Sequence, residues 1–319
     1  MDQKKYADVM NFRNEIRDLG LLKEIHVLSR SSVIRTVVSF CINWIAIGLC
    51  VLLVAKVSLL FIFLAIPVIG SRQRAMSNLI HDASHANLVE SRIWNDRLTN
   101  LLAAFPMLES VQNYRSSHLK HHQYLGVDGQ DPDLESHKRY GFDDYNPPTN
   151  KPFRTYIKLV FNLNSWKDSG IGAFFGLSRH EQGIIILWWV FGVASFAVLD
   201  MAIAVQFLAL WWLSRLTSYH AIRLFAEFLD HSGLRPGSVL NFTRNVPRGS
   251  WLARGLMHPH ADNYHLVHHL LPQIPHYNLA DAHRALSKCK TYRQGHHCDG
   301  YFLGNDSAVN SWMGYRKGS

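Results

Sequence analysis

Asn263-Tyr264-His265-Leu266-Val267-His268-His269-Leu270-Leu271-Pro272 carries three imidazoles at i, i+3 and i+4. At 3.6 residues per turn these positions share one face of a helix. Neutral imidazole is the commonest metal ligand, and crowding three together is unfavourable unless a positive charge sits between them. The same spacing recurs in His118-Leu119-Lys120-His121-His122, and His81-Asp82-Ala83-Ser84-His85 adds an i, i+4 pair. Eight of nineteen histidines therefore fall in three helical clusters, a concentration that points to a metal centre.

Outward from these clusters the chain is strongly uneven. Hydrophobic residues make up 48% of the 319 and mean hydropathy is −0.06, values of an ordinary soluble protein. Residues 36–55, however, contain no charge, and as a helix would extend about 30 Å, the thickness of a bilayer core. Lys56 interrupts, and residues 57–71 are uncharged again; a second pair, 183–199 and 201–214, is divided by Asp200. The pattern predicts two membrane hairpins, with helices continuing past the lipid far enough to carry His81, His85 and His231.

A net charge of +9 suits nucleic acid, anionic lipid or an acidic partner, but no basic stripe interleaves with a nucleic-acid-binding motif. Lys4, Lys5, Arg13, Arg17, Lys23, Arg30 and Arg35 precede the first apolar run, whereas the two hairpin turns have only Lys56 between them. The positive-inside rule then puts both termini, the central loop and all three clusters on the cytoplasmic side. A transporter would more naturally place its ligands near the bilayer midplane. The charged first thirty residues lack the apolar run of a signal peptide, and Cys41, Cys50, Cys289 and Cys298 are not expected to form stable disulfides.

In chain order, residues 1–32 read as an amphipathic cytoplasmic helix with Val9, Phe12, Ile16 and Leu19 at helical spacing, 33–286 as the membrane domain, and 287–319 as a cytoplasmic tail. The apolar run 98–108, broken by Pro106, is too short to span and is expected in the interface. Residues 126–133 form a loop by their Asp-Gly and Asp-Pro signals, and 134–182 a polar, aromatic connection. The pairs Trp188-Trp189 and Trp211-Trp212 suit membrane interfaces, with a substrate tunnel as the other reading.

HDASH, then HLKHH followed by GVDGQDPD, then NYHLVHHLLPQIPHYNL, ordered around two apolar hairpins, resembles the membrane fatty acid desaturase family. The resemblance implies an all-α integral membrane protein, four transmembrane helices in two hairpins under a cytoplasmic helical cap that holds a diiron site. It implies metal ligation by His81, His85, His118, His121, His122, His265, His268 and His269. An Arg223…Glu227…Asp230-His231 sequence makes His231 the ninth ligand by the same likeness. Ligating histidines need an acceptor for their second ring nitrogen, and Asp82, Asp131, Asp133, Glu227, Asp230 and Asp262 are candidates. Asp230 and Asp262 are favoured by adjacency. Asn263 either orders the site and its water or caps a helix.

The activity implied is oxygen-dependent insertion of a double bond into a fatty acyl chain carried as lipid, coenzyme A thioester or acyl-carrier-protein thioester. Removing hydrogen from an unactivated methylene needs an oxidant that acids and bases cannot supply. Two irons and dioxygen provide it. A hydroxylase or carotenoid-ketolase-type oxygenase shares the histidine boxes, and a membrane metal transporter is the reading from another class. The chain has no haem domain, CxxC clusters or dinucleotide fingerprint, so an external reductase with a ferredoxin or haem carrier is expected. The basic face suits docking of such an acidic carrier or of acyl carrier protein. Among the remaining histidines, His258 and His260 are read as surface or supporting residues, and His276 and His283 as packed or solvated. Cys289, His296, His297 and Cys298 have no trusted zinc spacing.

Overall fold

Ser32 stops the chain's N-terminal segment and starts the first long helix, its side chain accepting from the Arg35 amide as cap of Val33–Leu52. The computed structural model describes residues 3–142, 152–234 and 237–312. Within them four helical stretches have the length and apolar character to cross a membrane: Val33–Val57, Leu59–Ser84, Arg179–Leu199 and Met201–His231. Their outward faces are apolar too: Val37, Ile42, Ile45 and Leu49 on the first and Val190, Phe191, Val198 and Leu199 on the third are exposed. A helix apolar all round needs a nonaqueous surrounding.

The second span is the axis of the molecule. It packs on the first and fourth spans and on helix Val111–Tyr124. Phe40, Ile47, Ile69, Met76, Leu210 and Trp211 are buried along these seams. Gly70 is required here, because a Cβ would lie 2.1 Å from Ser218 Oγ and 2.6 Å from the Tyr219 backbone nitrogen. The fourth span runs through a π-helical turn, Arg215–Tyr219, at this contact and continues as His220–His231. Its first residues are capped by Asp200, whose carboxylate also pairs with Lys56. The break between the first two spans is thus tied to the break between the last two, at the end opposite His81 and His231.

Helix Gln3–Asp18 buries Phe12 and Ile16 against the third histidine box and the tail, with Leu266, Val267, Leu286 and Tyr292. Leu19 lies beyond this helix and is exposed; Leu21 takes the buried place. Lys4 and Lys5, expected on the cytoplasmic side with the other basic residues, lie where no side chain is described. Strand Arg244–Asn245 pairs in parallel with His296–His297 and ties the tail to the segment leading into the third box.

One expectation about the apolar segments changes, that for Trp211. The run 98–108 turns Ala103, Ala104 and Met107 into the core around the second span and leaves Leu101 exposed. Trp211 is not an interfacial indole: it is 1% exposed and stacks on Trp44 with centroids 6.0 Å apart. Trp189 packs edge-on against it at 5.6 Å. The tryptophans fill the seam between spans because their large flat rings cover the gap between helices.

Candidate metal centre

Helix geometry delivers the histidines. Helix Ile62–Ser84 ends at the first box, so His81 sits in its last turn and His85 just past it. Arg115 fixes that end, donating from Nε to the Ser84 carbonyl and from its guanidinium to the Ala83 carbonyl, 2.8 and 2.9 Å, while pairing with Asp96. Cationic groups are favoured at helix C-termini. Helix Val111–Tyr124, capped by Ser110, carries His118, His121 and His122. The short helix His265–Leu270 carries the third box and follows a tight 3-10 segment in which His260 and Ala261 have positive φ.

All nine predicted histidines converge, and they divide into two sets. His81, His85, His118, His122 and His268 each place a ring nitrogen within 4.8 Å of the others. His121, His231, His265 and His269 form the second set by the same measure. The division follows helical phase: His118 and His122, or His265 and His269, are four residues apart and lie about 40° apart around the helix. The remaining member, His121 or His268, lies about 100° from its neighbour and faces the other set. The sets adjoin, with the His122 and His269 rings stacked at 4.3 Å.

The nitrogens that converge are Nε2 atoms. His118 Nε2 is 2.9 Å from that of His85 and 3.0 Å from that of His122, which is 3.0 Å from that of His268. In the second set His265 Nε2 is 3.1 Å from that of His231 and 3.0 Å from that of His269, and His121 Nε2 is 3.4 Å from that of His269. His81 Nε2 is buried without a hydrogen-bond partner. At two positions the outer nitrogen is engaged: His121 Nδ1 donates to Asp131 at 2.8 Å, and His231 Nδ1 to the Phe242 carbonyl at 2.8 Å. That assignment of protons leaves Nε2 lone pairs aimed inward, an arrangement that cations satisfy.

Electrostatics agree. Burial pushes His85 down to about 3, with repulsion from His81 adding to it. Burial first, then neighbouring imidazoles, pushes His118, His122, His265, His268 and His269 well below the ordinary range. These rings stay neutral, the form that ligates. His121 is the exception: against burial, the Asp133 charge and the Asp131 hydrogen bond hold it up. Asp131 is correspondingly depressed to about 2, burial being outweighed by its bond to His121.

Of the carboxylates favoured by adjacency, Asp230 lies beside a box histidine and Asp262 is engaged elsewhere. Asp262 pairs with Arg74, and Glu227 accepts from Arg223 Nε at 2.6 Å. Asp82 accepts from His276 Nδ1 at 2.7 Å and from its backbone nitrogen at 3.0 Å. His276 is therefore buried and bonded on both ring nitrogens, the other to Ser39 at 3.0 Å. Asp230 Oδ2 lies 3.7 Å from His265 Nδ1. Asn263 neither caps the third helix nor meets a box histidine: its amide donates to the Val246 carbonyl at 3.0 Å, and its own carbonyl accepts from Val246 at 2.8 Å. His258 is buried and stacked on Tyr301 at 5.2 Å rather than at the surface, and His260 contacts Asn43. His283 is half-buried and bonded to the Tyr292 hydroxyl. Among the described residues Cys289, His296, His297 and Cys298 do not gather as a ligand set.

Residues without a sequence signal complete the surroundings. Tyr114, one turn before His118, stacks on that ring at 5.4 Å. A pocket opens beside both sets, touching His81 and His118 from the first and His121, His231 and His265 from the second. Tyr114, Arg74, Asn78 and His137 line it as well. Only the tertiary fold brings these together.

A helical membrane chain with two adjoining polyhistidine sets at the ends of its spans defines the class of histidine-box membrane proteins. The profile of the fatty acid desaturase family matches residues 57–301, and the chain belongs to that family. It is 29% identical over 289 residues to the dihydrorhizobitoxine desaturase of Bradyrhizobium elkanii, covering 85% of this chain and 77% of that one. It is 23% identical over 254 residues to the Delta(8)-fatty-acid desaturase of Euglena gracilis, covering 68% of this chain and 58% of that one. Both relatives are desaturases, which makes this chain a desaturase-type oxidoreductase.

Proposed function

We propose that the protein is an oxygen-dependent, membrane-bound desaturase that converts a saturated carbon–carbon bond of its substrate into a double bond at a diiron centre. The observation that carries this reading is the convergence of nine imidazoles in two adjoining sets within a chain of the desaturase family. His81, His85, His118, His122 and His268 would hold one iron, and His121, His231, His265 and His269 the other. Bound there, the irons would supply the oxidising power that no side chain has. Dioxygen takes four electrons, two from the carbon–carbon unit and two from a carrier, and with two further protons leaves as two waters.

The chain's own residues prepare that chemistry. Burial keeps most of the box imidazoles neutral, Asp131 and the Phe242 carbonyl fix two ring orientations, and the pocket beside both sets would admit the reacting segment. Electrons would come from an external ferredoxin or haem carrier docked on the basic face, which we place, with both termini and the histidines, on the cytoplasmic side. The sequence leads to a fatty acyl substrate, one candidate among saturated chains.

Iron analysis of the purified protein tests the reading, together with mass comparison of lipids and metabolites from cells with and without the gene. The wild-type chain should bind two irons, and one cellular compound should lose two hydrogens. His268→Ala and His121→Ala, one from each set, should each lose roughly half or more of the iron and abolish the product. Undiminished iron and product in both variants would remove these histidines from the account. A product one oxygen heavier would instead make the enzyme a hydroxylase.

A further inference from the structure

The first histidine box is fastened to each of the other two. Arg115 joins it to the second, its guanidinium holding the Ser84 and Ala83 carbonyls. His276 joins it to the chain that follows the third. Asp82 Oδ2 accepts from the His276 backbone nitrogen at 3.0 Å and from Nδ1 of its ring at 2.7 Å. Asn87 adds a parallel tie, donating to the Pro272 carbonyl at 2.7 Å. The other nitrogen of the His276 ring meets Ser39 Oγ, on the first span, at 3.0 Å. Asp82 and His276 are both buried, so water does not compete for these bonds.

The helical ladder alone does not hold this end of the second span. His85 lies past the last residue of helix Ile62–Ser84, and Ala86 after it has a φ of 59°. The Asp82 carbonyl accepts from the His85 and Asn87 amides at 3.2 and 3.3 Å. Clamping the Asp82 carboxylate therefore also sets the direction in which the chain carries His85, and His81 shares the same turn. Both histidines enter one set, with His118, His122 and His268; the second set takes none from this box. The helix of the third box has its own anchor, because Asn245 Oδ1 accepts from the Leu266 amide at 2.9 Å. Loosening Asp82 would thus disturb the first set and spare the second.

We propose that His276 is a positioning residue of the metal centre: its Nδ1–H holds Asp82, and through Asp82 the turn that presents His81 and His85 to the first set. Resting on the two-iron reading above, this makes His276 a residue that acts on one iron site and not on the other.

The test is iron retention by the full-length protein in detergent, read by metal analysis after exposure to a graded series of chelators. The wild type should hold two irons. His276→Ala should release one of them about tenfold or more readily, the usual effect of disturbing the groups behind metal ligands, and keep the other as the wild type does. His276→Asn, whose amide nitrogen falls where Nδ1 lies, should retain both. His276→Gln is nearer in size but carries its amide at the Nε2 position, and should behave like His276→Ala. Better retention by Gln than by Asn marks a packing role and overturns the proposal, as does wild-type retention in His276→Ala. Double variants show which site responds. Added to His121→Ala, His276→Ala should weaken the remaining iron; added to His268→Ala, it should change nothing more. The opposite pattern overturns the assignment to the first set. If His276→Ala folds poorly, the comparison of Asn with Gln still decides. A wild type that binds no iron sinks the desaturase reading, whereas two irons held equally by every His276 variant sink only the role of His276.

Discussion

Asp131 accepts from the His121 ring and the Asp133 amide through Oδ1, and from the Gly126 amide through Oδ2. It is at once the N-cap of helix Pro132–Arg139 and the support of a box histidine. Asn caps helices about as well as Asp and can still accept from an imidazole. Asp131→Asn therefore removes the charge and the acceptor for the Gly126 amide, while keeping the cap and an acceptor for His121. The loss should weaken iron binding about 10- to 100-fold, the usual effect of removing a ligand's supporting acceptor. Competition with a graded series of chelators measures it, and unchanged retention would mean that His121 needs no carboxylate behind it. Sequence supplied Asp131 as one of several candidates, but adjacency favoured Asp230 and Asp262. A neighbour in sequence is carried on the same backbone as its histidine and commonly points elsewhere, as Asp262 does toward Arg74. Asp131 reaches back ten residues because the chain turns through Gly126 and Gly129, both with positive φ.

Helices explain both what was legible and what was not. The spans could be read because uncharged runs of membrane length have few other uses, and the boxes because i, i+3, i+4 is a helical signature. Which histidine joins which set needed the relative rotation of four segments, and no periodicity encodes that. Gly70 is a similar case: within an apolar helix it reads as one small residue among many. In the structure it is where the second span meets the π-helical turn of the fourth, with Ser218 donating to the Ile66 carbonyl at 2.6 Å across the seam. A hydroxyl can rotate away from an added methyl, but the Tyr219 backbone nitrogen cannot. Gly70→Ala should therefore destabilise the protein by about 1–3 kcal/mol, the scale of overpacking in a close-packed interior. Adding Ser218→Ala should restore only part of that loss. Thermal unfolding in detergent gives the comparison. Full rescue by the second substitution would place the obstruction in the hydroxyl and not in the backbone contact.

Over the whole molecule the arrangement is polar in the geometric sense. Lys56 and Asp200 join the two inter-span breaks at one end, and the histidine sets, the N-terminal helix and the tail gather at the other. From the basic residues before the first span and the positive-inside rule we propose that the histidine end faces the cytoplasm. Single cysteines report this directly. Val57, beside the Lys56–Asp200 pair, and Lys288, in the tail, are both exposed, so a thiol at either is open to a reagent. Cys41 is exposed on the first span and is replaced by serine in both labelled proteins, while Cys50, Cys289 and Cys298 are buried. A membrane-impermeant maleimide added to intact cells should label Val57→Cys and leave Lys288→Cys untouched until the membrane is opened. The reverse pattern would put the histidines on the outer face, out of reach of any cytoplasmic electron carrier. Labelling of both in intact cells would mean that the two ends do not lie on opposite sides of a bilayer, and the spans would have to be read again as buried helices.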